Sequence, residues 1–222
     1  VQRTRVKICG IGHVEDALAA ARAGVDAIGM LFHPPAPRNI TPQRAAEILA
    51  ALPPFVTPVA LFVDLPVGRV IDAARSLNIR HIQLHGSETP EHVASLREYT
   101  VVKALRVDPA TFAGELDLWR EAIPRLHLTN LQGFVLETAG TTGGTGRANN
   151  WDLVQHHRQR GDFIGLPHLI AAGGLTPENV ADVIRTLRPW SVDVSSGVET
   201  SPGKKSPEKI DAFLRAVDEA ST

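Results

Sequence analysis

The chain holds a single cysteine, and it stands just after a lysine in Arg5-Val6-Lys7-Ile8-Cys9-Gly10. Apolar residues running into a glycine mark a buried strand that ends in a turn. Side chains alternate along a strand, so Lys7 and Cys9 share one face while Val6 and Ile8 take the other. A thiol can serve as a base when its thiolate is stabilised, and a nearby ammonium does that. The plainer readings are a small core cysteine and a lysine in a structural ion pair. Glu137 closes another apolar stretch, Gln132 to Glu137. A carboxyl in a closed pocket keeps its proton and can act as an acid. Cys9 and Glu137 on opposite sides of one site would suit proton shuttling on one small substrate.

A second group is rich in small residues. Gly173-Gly174 follows one apolar stretch, and Ser195-Ser196-Gly197 closes the next. Glycine lets backbone approach an anion closely, with amides pointing at it. Ordinary turn glycines are the alternative. Small residues at both junctions favour phosphate, and the glycine- and threonine-rich loop Ala139 to Asn149 could fold over it. Arg38, after a proline-rich loop, could grip a carboxylate with its planar fork. Gln83, His85 and Asp193 stand at other strand ends and complete the candidates for holding substrate. Adjacent His156 and His157 point different ways on a helix, and no histidine pair has metal-ligand spacing with a carboxylate. No metal is expected.

The elements that must position these groups follow one rhythm. Strands are expected at Asp26 to Phe32, Pro58 to Val63, Arg80 to His85, Val101 to Leu105, Gln132 to Glu137, His168 to Ala172 and Ser191 to Ser195, after the first at Arg5 to Cys9. Continuous apolar runs of this kind are buried on both faces, as in parallel sheets. Between them lie helical patterns: His13 to Gly24, Thr41 to about Leu52, Pro66 to Leu77, one opened by Thr89-Pro90, Pro109 to Ile123, Trp151 to Arg160, one opened by Thr176-Pro177, and one opened by Ser206-Pro207. Threonine or serine before proline is an N-cap followed by a favoured first helical residue. About eight strand-helix pairs make a (β/α)8 TIM barrel in a single domain. An open doubly wound sheet is the competitor, but Gly10-Ile11-Gly12 does not complete a dinucleotide fingerprint. In a barrel the chemistry lies at the C-terminal strand ends, where the candidate residues stand.

Composition narrows the function. Of 222 residues 43% are hydrophobic, and 23 basic residues face 24 acidic ones. That balance gives no electrostatic case for nucleic acid or an anionic membrane. No apolar run reaches membrane-spanning length. A lone cysteine makes no internal disulfide, and a cytoplasmic, reducing setting is expected. The N-terminus does not read as a secretory signal.

The motifs together resemble the phosphoribosylanthranilate isomerases of tryptophan biosynthesis. The resemblance runs through Lys7-Ile8-Cys9-Gly10-Ile11, Pro37-Arg38, Gln83-Leu84-His85-Gly86 with Glu88, Lys103-Ala104 and Gly143-Gly144-Thr145-Gly146 with Trp151. It continues in Ala172-Gly173-Gly174-Leu175 and Asp193-Val194-Ser195-Ser196-Gly197-Val198-Glu199 with Lys205. It implies an Amadori rearrangement. A general acid protonates the furanose ring oxygen, Cys9 takes the proton from the sugar's second carbon, and the enolamine becomes a ketone. Arg38 would hold the aromatic carboxylate, and amides near Gly173-Gly174 and Ser196-Gly197 the phosphate. No cofactor is implied, because the imine nitrogen is the electron sink. The partner is a small phosphoribosylated substrate, and the chain is a monomer or homodimer. The family's acid is an aspartate where this chain has Glu137. Gly12, Ala36, Asn149-Asn150 and Ser206 also depart from its pattern. The alternatives are a sugar-phosphate-binding barrel without turnover or with an altered substrate, and another phosphate-barrel enzyme such as an epimerase or lyase.

Overall fold

The computed structural model describes residues 3–138 and 150–221. Eight parallel strands close into a barrel in sequence order, β1 to β8. They are β1 Arg5–Ile8, β2 Ala27–Phe32, β3 Thr57–Phe62, β4 His81–Leu84, β5 Thr100–Val107, β6 Leu131–Thr138, β7 His168–Ala172 and β8 Ser191–Val194. The helices between them are α1 Val14–Ala23, α2 Pro42–Ala51, α3 Val67–Ser76, α4 Pro90–Ala94, α5 Phe112–Leu126, α6 Trp151–Gln159 and α7 Val180–Leu187, with α8 Pro207–Ser221 last.

Each strand sends alternate residues to two different cores. Ile8, Ile28, Ile82, Leu84 and Leu136 face outward and join the helices in one large cluster. Each such side chain contributes roughly 1.5–3 kcal/mol by leaving water. Val135, Ile170 and Ala172, with Val102 and Ala104, form a small separate cluster inside the barrel. Above it the interior turns polar: Lys7, Gln83 and Asp193 are buried there. The apolar plug carries the site as a floor.

Several helices start as their caps dictate. The Thr41 hydroxyl accepts from the Arg44 amide at 3.2 Å, and the Asn150 side chain accepts from the Leu153 amide at 3.1 Å. Gly24 ends α1 in the left-handed conformation, φ 91°. Helix α7 departs from expectation. It begins at Val180, not at Thr176-Pro177. The Thr176 amide donates to the Asn179 side chain at 2.8 Å, and Asn179 Nδ2 donates back to the Gly174 carbonyl at 2.8 Å. That local bonding holds Thr176 to Asn179 as a turn and ties it to the loop after β7. A second departure follows β8. A 3-10 turn at Ser196–Val198 leads into a small antiparallel pair, β9 Glu199–Ser201 and β10 Lys204–Lys205.

Candidate active site

Ring closure builds one half of the site. β1 pairs with β8 in a register that sets Lys7 beside Asp193, and in-register parallel neighbours point to the same face. Lys7 Nζ donates to Asp193 Oδ2 at 2.7 Å. Burial opposes the Lys7 charge, but Asp193 and Cys9 outweigh it and its pKa is pushed up to about 12. Burial pushes the Cys9 thiol above its ordinary value; Lys7 and Lys205 pull the other way, and Asp193 adds to burial. Cys9 therefore rests as a thiol. Burial also holds the Asp193 carboxyl above its usual range, against Lys7. Gly29 on β2 makes room for this group: a Cβ there would lie 2.9 Å from Cys9 Sγ and 3.1 Å from Lys7 Nζ.

The other half comes from β4 and β6. His85 Nε2 lies 2.9 Å from Glu137 Oε2, and Gln83 Nε2 lies 3.0 Å from His85 Nδ1. Burial alone would keep a proton on Glu137, but the charge and hydrogen bond of His85 outweigh it and hold the carboxyl below its usual range. The expectation of a carboxyl protonated by its closed pocket is thus corrected: Glu137 rests ionised. Gln83 is corrected too. It is fully buried under His85 and does not line the cavity, so it supports His85 and has no surface for substrate.

A cavity of about 350 Å³ opens between the halves, lined by Cys9, Arg38, His85, Glu137, Gly173, Gly174, Asp193, Ser195 and Ser196 among others. Leu31, Pro37, Leu61 and Val63 give it an apolar wall. Gly173 and Gly174 both have positive φ, 89° and 69°. Their amides and those of Ser196 and Gly197 enter no hydrogen bond with other described residues, and of these Gly173, Gly174 and Ser196 line the cavity, where their donors are open to an anion. Gly197 lies behind the others: it lines a neighbouring cavity with Lys209, and a side chain there would run into the Leu175 carbonyl. The loop Ala139 to Asn149 lies outside the described residues.

Arg38 reaches the cavity with its fork already engaged. Nε and Nη2 donate to the two carboxylate oxygens of Glu199 at 2.8 and 2.7 Å. Lys205 Nζ donates to Glu199 Oε1 at 2.8 Å and to the Ser195 carbonyl at 3.1 Å. Glu199 and Lys205 were not among the expected site residues, yet they fix both Arg38 and the end of β8. Their signal in the sequence was an acid and a base flanking Pro202-Gly203, a turn dipeptide. Gly10 lets Arg38 pass, since a Cβ there would lie 2.6 Å from its Cδ.

Residues 6–216 match the family model described as N-(5'phosphoribosyl)anthranilate (PRA) isomerase. The isomerase of Geobacter metallireducens is 41% identical over 211 residues, covering 95% of this chain and 97% of that protein. That of Pseudomonas syringae pv. syringae is 45% identical over 217 residues, covering 96% and 97%. The crystal structure of the Thermotoga maritima enzyme matches with a TM-score of 0.84 at 36% identity, covering 97% of this chain and 99% of that one. A further structure, in complex with reduced 1-(o-carboxyphenylamino)-1-deoxyribulose 5-phosphate, matches with a TM-score of 0.81 at 35% identity over 97% and 99%. The chain belongs to the N-(5'-phosphoribosyl)anthranilate isomerase family.

Proposed function

We propose that this chain, as a single-domain barrel, converts N-(5'-phosphoribosyl)anthranilate to 1-(2-carboxyphenylamino)-1-deoxyribulose 5-phosphate in tryptophan biosynthesis, with Cys9 and Glu137 as its proton-transfer groups. The observation that carries this reading is the meeting of the two groups, from β1 and β6, in one cavity whose far end presents unengaged amides.

The phosphate sits against the amides of Gly173, Gly174 and Ser196, which supply donors without a charged side chain. The aromatic ring lies along Leu31, Pro37, Leu61 and Val63. Arg38, held in place by Glu199, directs its remaining donors at the aromatic carboxylate. As substrate binds, the Cys9 thiol gives up a proton and the Glu137 carboxylate gains one by exchange with solvent in the open cavity, and Glu137 then gives its proton to the furanose ring oxygen. The C1–O bond breaks and the nitrogen lone pair forms an iminium. That positive charge, with Lys7 beside the thiol, favours the Cys9 thiolate, which takes the proton from C2. Electrons from the broken C–H bond form the enolamine double bond and neutralise the nitrogen. Protonation of C1 by the Cys9 thiol and return of the enol proton to Glu137 give the ketone, and on product release the thiolate regains a proton and Glu137 loses one to solvent, which restores the resting thiol and carboxylate. The imine nitrogen is the electron sink, so the sequence of steps draws on no cofactor.

The chain works in the cytoplasm as a monomer or homodimer; one solved Thermotoga maritima structure is described as monomers generated from a dimeric enzyme. The test is turnover of phosphoribosyl anthranilate generated in place. The parent turns over, Glu137→Asp retains or raises activity, and Glu137→Gln falls by ~100-fold or more, the scale of a lost acid-base group. No turnover by the parent or by Glu137→Asp would make the chain a binding barrel. A fully active Glu137→Gln would move the acid elsewhere.

A further inference from the structure

Arg38 meets one carboxylate before any substrate arrives. Its Nε and Nη2 donate to Glu199 Oε1 and Oε2 at 2.8 and 2.7 Å, and the two side chains are only 9% and 5% exposed. One edge of the fork is thereby taken. The edge between Nη1 and Nη2 still presents an N–H from each nitrogen, and Nη1 has no partner among the described residues. A second carboxylate can fit that edge. Its charge is another matter. Arg38 and Glu199 together are neutral, and at low dielectric the repulsion from Glu199 cancels much of the attraction to Arg38.

Lys205 supplies the missing charge. Its side chain is fully buried and does not line the cavity. Nζ donates to Glu199 Oε1 at 2.8 Å, to the Ser195 carbonyl at 3.1 Å and to the Ser195 hydroxyl at 3.4 Å. Three acceptors match the three donors of an ammonium. Burial lowers the Lys205 pKa against the pull of Glu199. Arg38 alone already covers both oxygens of Glu199, so Lys205 is more cation than that carboxylate needs. One carboxylate between two cations leaves the group with a net charge of +1. We propose, on the reading that Arg38 grips the aromatic carboxylate, that Lys205 determines specificity for that carboxylate: Glu199 holds the guanidinium in place, and Lys205 offsets Glu199 so that the group meets the ligand as a cation. Lys205 is a positioning residue, acting on the ligand through Glu199 and Arg38.

Other consequences of Lys205 do not depend on the aromatic carboxylate. It fixes Ser195 at the phosphate end of the cavity, and it favours the Cys9 thiolate against burial. Both effects bear alike on a ligand with the carboxylate and on one without it. Two further charges stand near. The Lys205 amide donates to Asp16 Oδ2 at 3.2 Å, and Lys209 donates to the Glu199 carbonyl at 2.8 Å. These are common to the parent and to variants of Lys205 and Glu199. The ratio of the two affinities therefore isolates the charge that stands behind Arg38.

The experiment is equilibrium binding of two ligands, the reduced product analogue with its carboxyphenyl ring and its counterpart with a plain phenyl ring. The parent should favour the carboxylated ligand. Lys205→Met should lower that preference by ~10-fold or more, the scale of one charge at close range inside a protein. Glu199→Gln and the double variant Glu199→Gln/Lys205→Met share a loosened Arg38 and differ only in the Lys205 charge, so the preference should fall by a similar factor between them. Replacing both members of a buried pair is better tolerated than breaking it, and this second comparison decides if Lys205→Met does not fold. A preference that stays within about twofold in either comparison, with both ligands weakened alike, would overturn the proposal and leave Lys205 a structural residue. A parent that binds the two ligands equally would refute the grip of Arg38 itself; a parent with the preference, and Lys205 variants that keep it, refute only the role of Lys205.

Discussion

Gly29→Ala adds one methyl group to β2, and the geometry fixes where it goes. The new Cβ would stand 2.9 Å from Cys9 Sγ and 3.1 Å from both Cε and Nζ of Lys7. Comfortable separations are about 3.5–4.0 Å, so these atoms must move by roughly half an ångström to an ångström. Lys7 has little freedom, because its ammonium is held by Asp193 at 2.7 Å. Cys9 therefore takes most of the displacement. A misplacement of about 1 Å at a reacting group costs ~100-fold, so kcat should fall roughly 10- to 100-fold, equivalent to about 1.4–2.7 kcal/mol of barrier. The phosphate amides follow β7 and β8, and Arg38, in the loop beyond the end of β2, is held by Glu199, so KM should stay within a few-fold. Overpacking also costs stability, typically ~1–3 kcal/mol. The assay is steady-state turnover on protein whose folding is checked by circular dichroism well below its melting temperature. A folded Gly29→Ala enzyme with kcat within about twofold of the parent would refute the claim that the Cys9–Lys7 spacing matters for catalysis, since a tenth of the expected loss is readily measured.

Gly174→Val puts a branched side chain at φ 69° beside the unengaged amides; KM should rise and inhibition by inorganic phosphate should weaken, while unchanged phosphate inhibition would place the anion elsewhere. Glu199→Gln leaves Arg38 and Lys205 without their shared carboxylate, and breaking such a buried pairing costs ~3–5 kcal/mol, read as a lower melting temperature. The same glutamate gives a pH signature. Burial opposes its charge, but the Arg38 hydrogen bonds and Lys205 outweigh that and hold its pKa below the usual value. A lowered folded pKa means stability that is present above the unfolded value, about 4.3, and lost as pH falls through the folded one. The parent should therefore lose more melting temperature than Glu199→Gln across that acid window; parallel losses would contradict the assignment.

The barrel was legible because parallel strands buried on both faces leave continuous apolar runs, and because Thr41-Pro42 and Asn150 mark helix starts by chemistry alone. The same logic failed at Thr176-Pro177, where the Asn179 side chain binds the Thr176 amide and the Gly174 carbonyl and ties this stretch to the loop after β7. Cys9, Arg38, His85 and Glu137 could be placed at one rim from strand ends alone. What they touch could not. The Lys7–Asp193 contact joins residues 186 apart and exists only because β1 closes on β8. Arg38 was read as free to bind substrate, and its clasp by Glu199 depends on a hairpin of short polar strands without apolar alternation. The ionised state of Glu137 depends on His85, which reaches it from a strand two places away in the barrel.

The role proposed for Cys9 is to move a proton and not merely to hold the ligand. It is tested most directly by single-turnover kinetics of Cys9→Ser, paired with binding of the reduced product analogue. A serine hydroxyl without an activating partner is far too weak a base. Isomerisation should be nearly abolished while analogue affinity stays within a few-fold of the parent. Affinity falling in step with activity, or isomerisation persisting at a rate near the parent's, would contradict it.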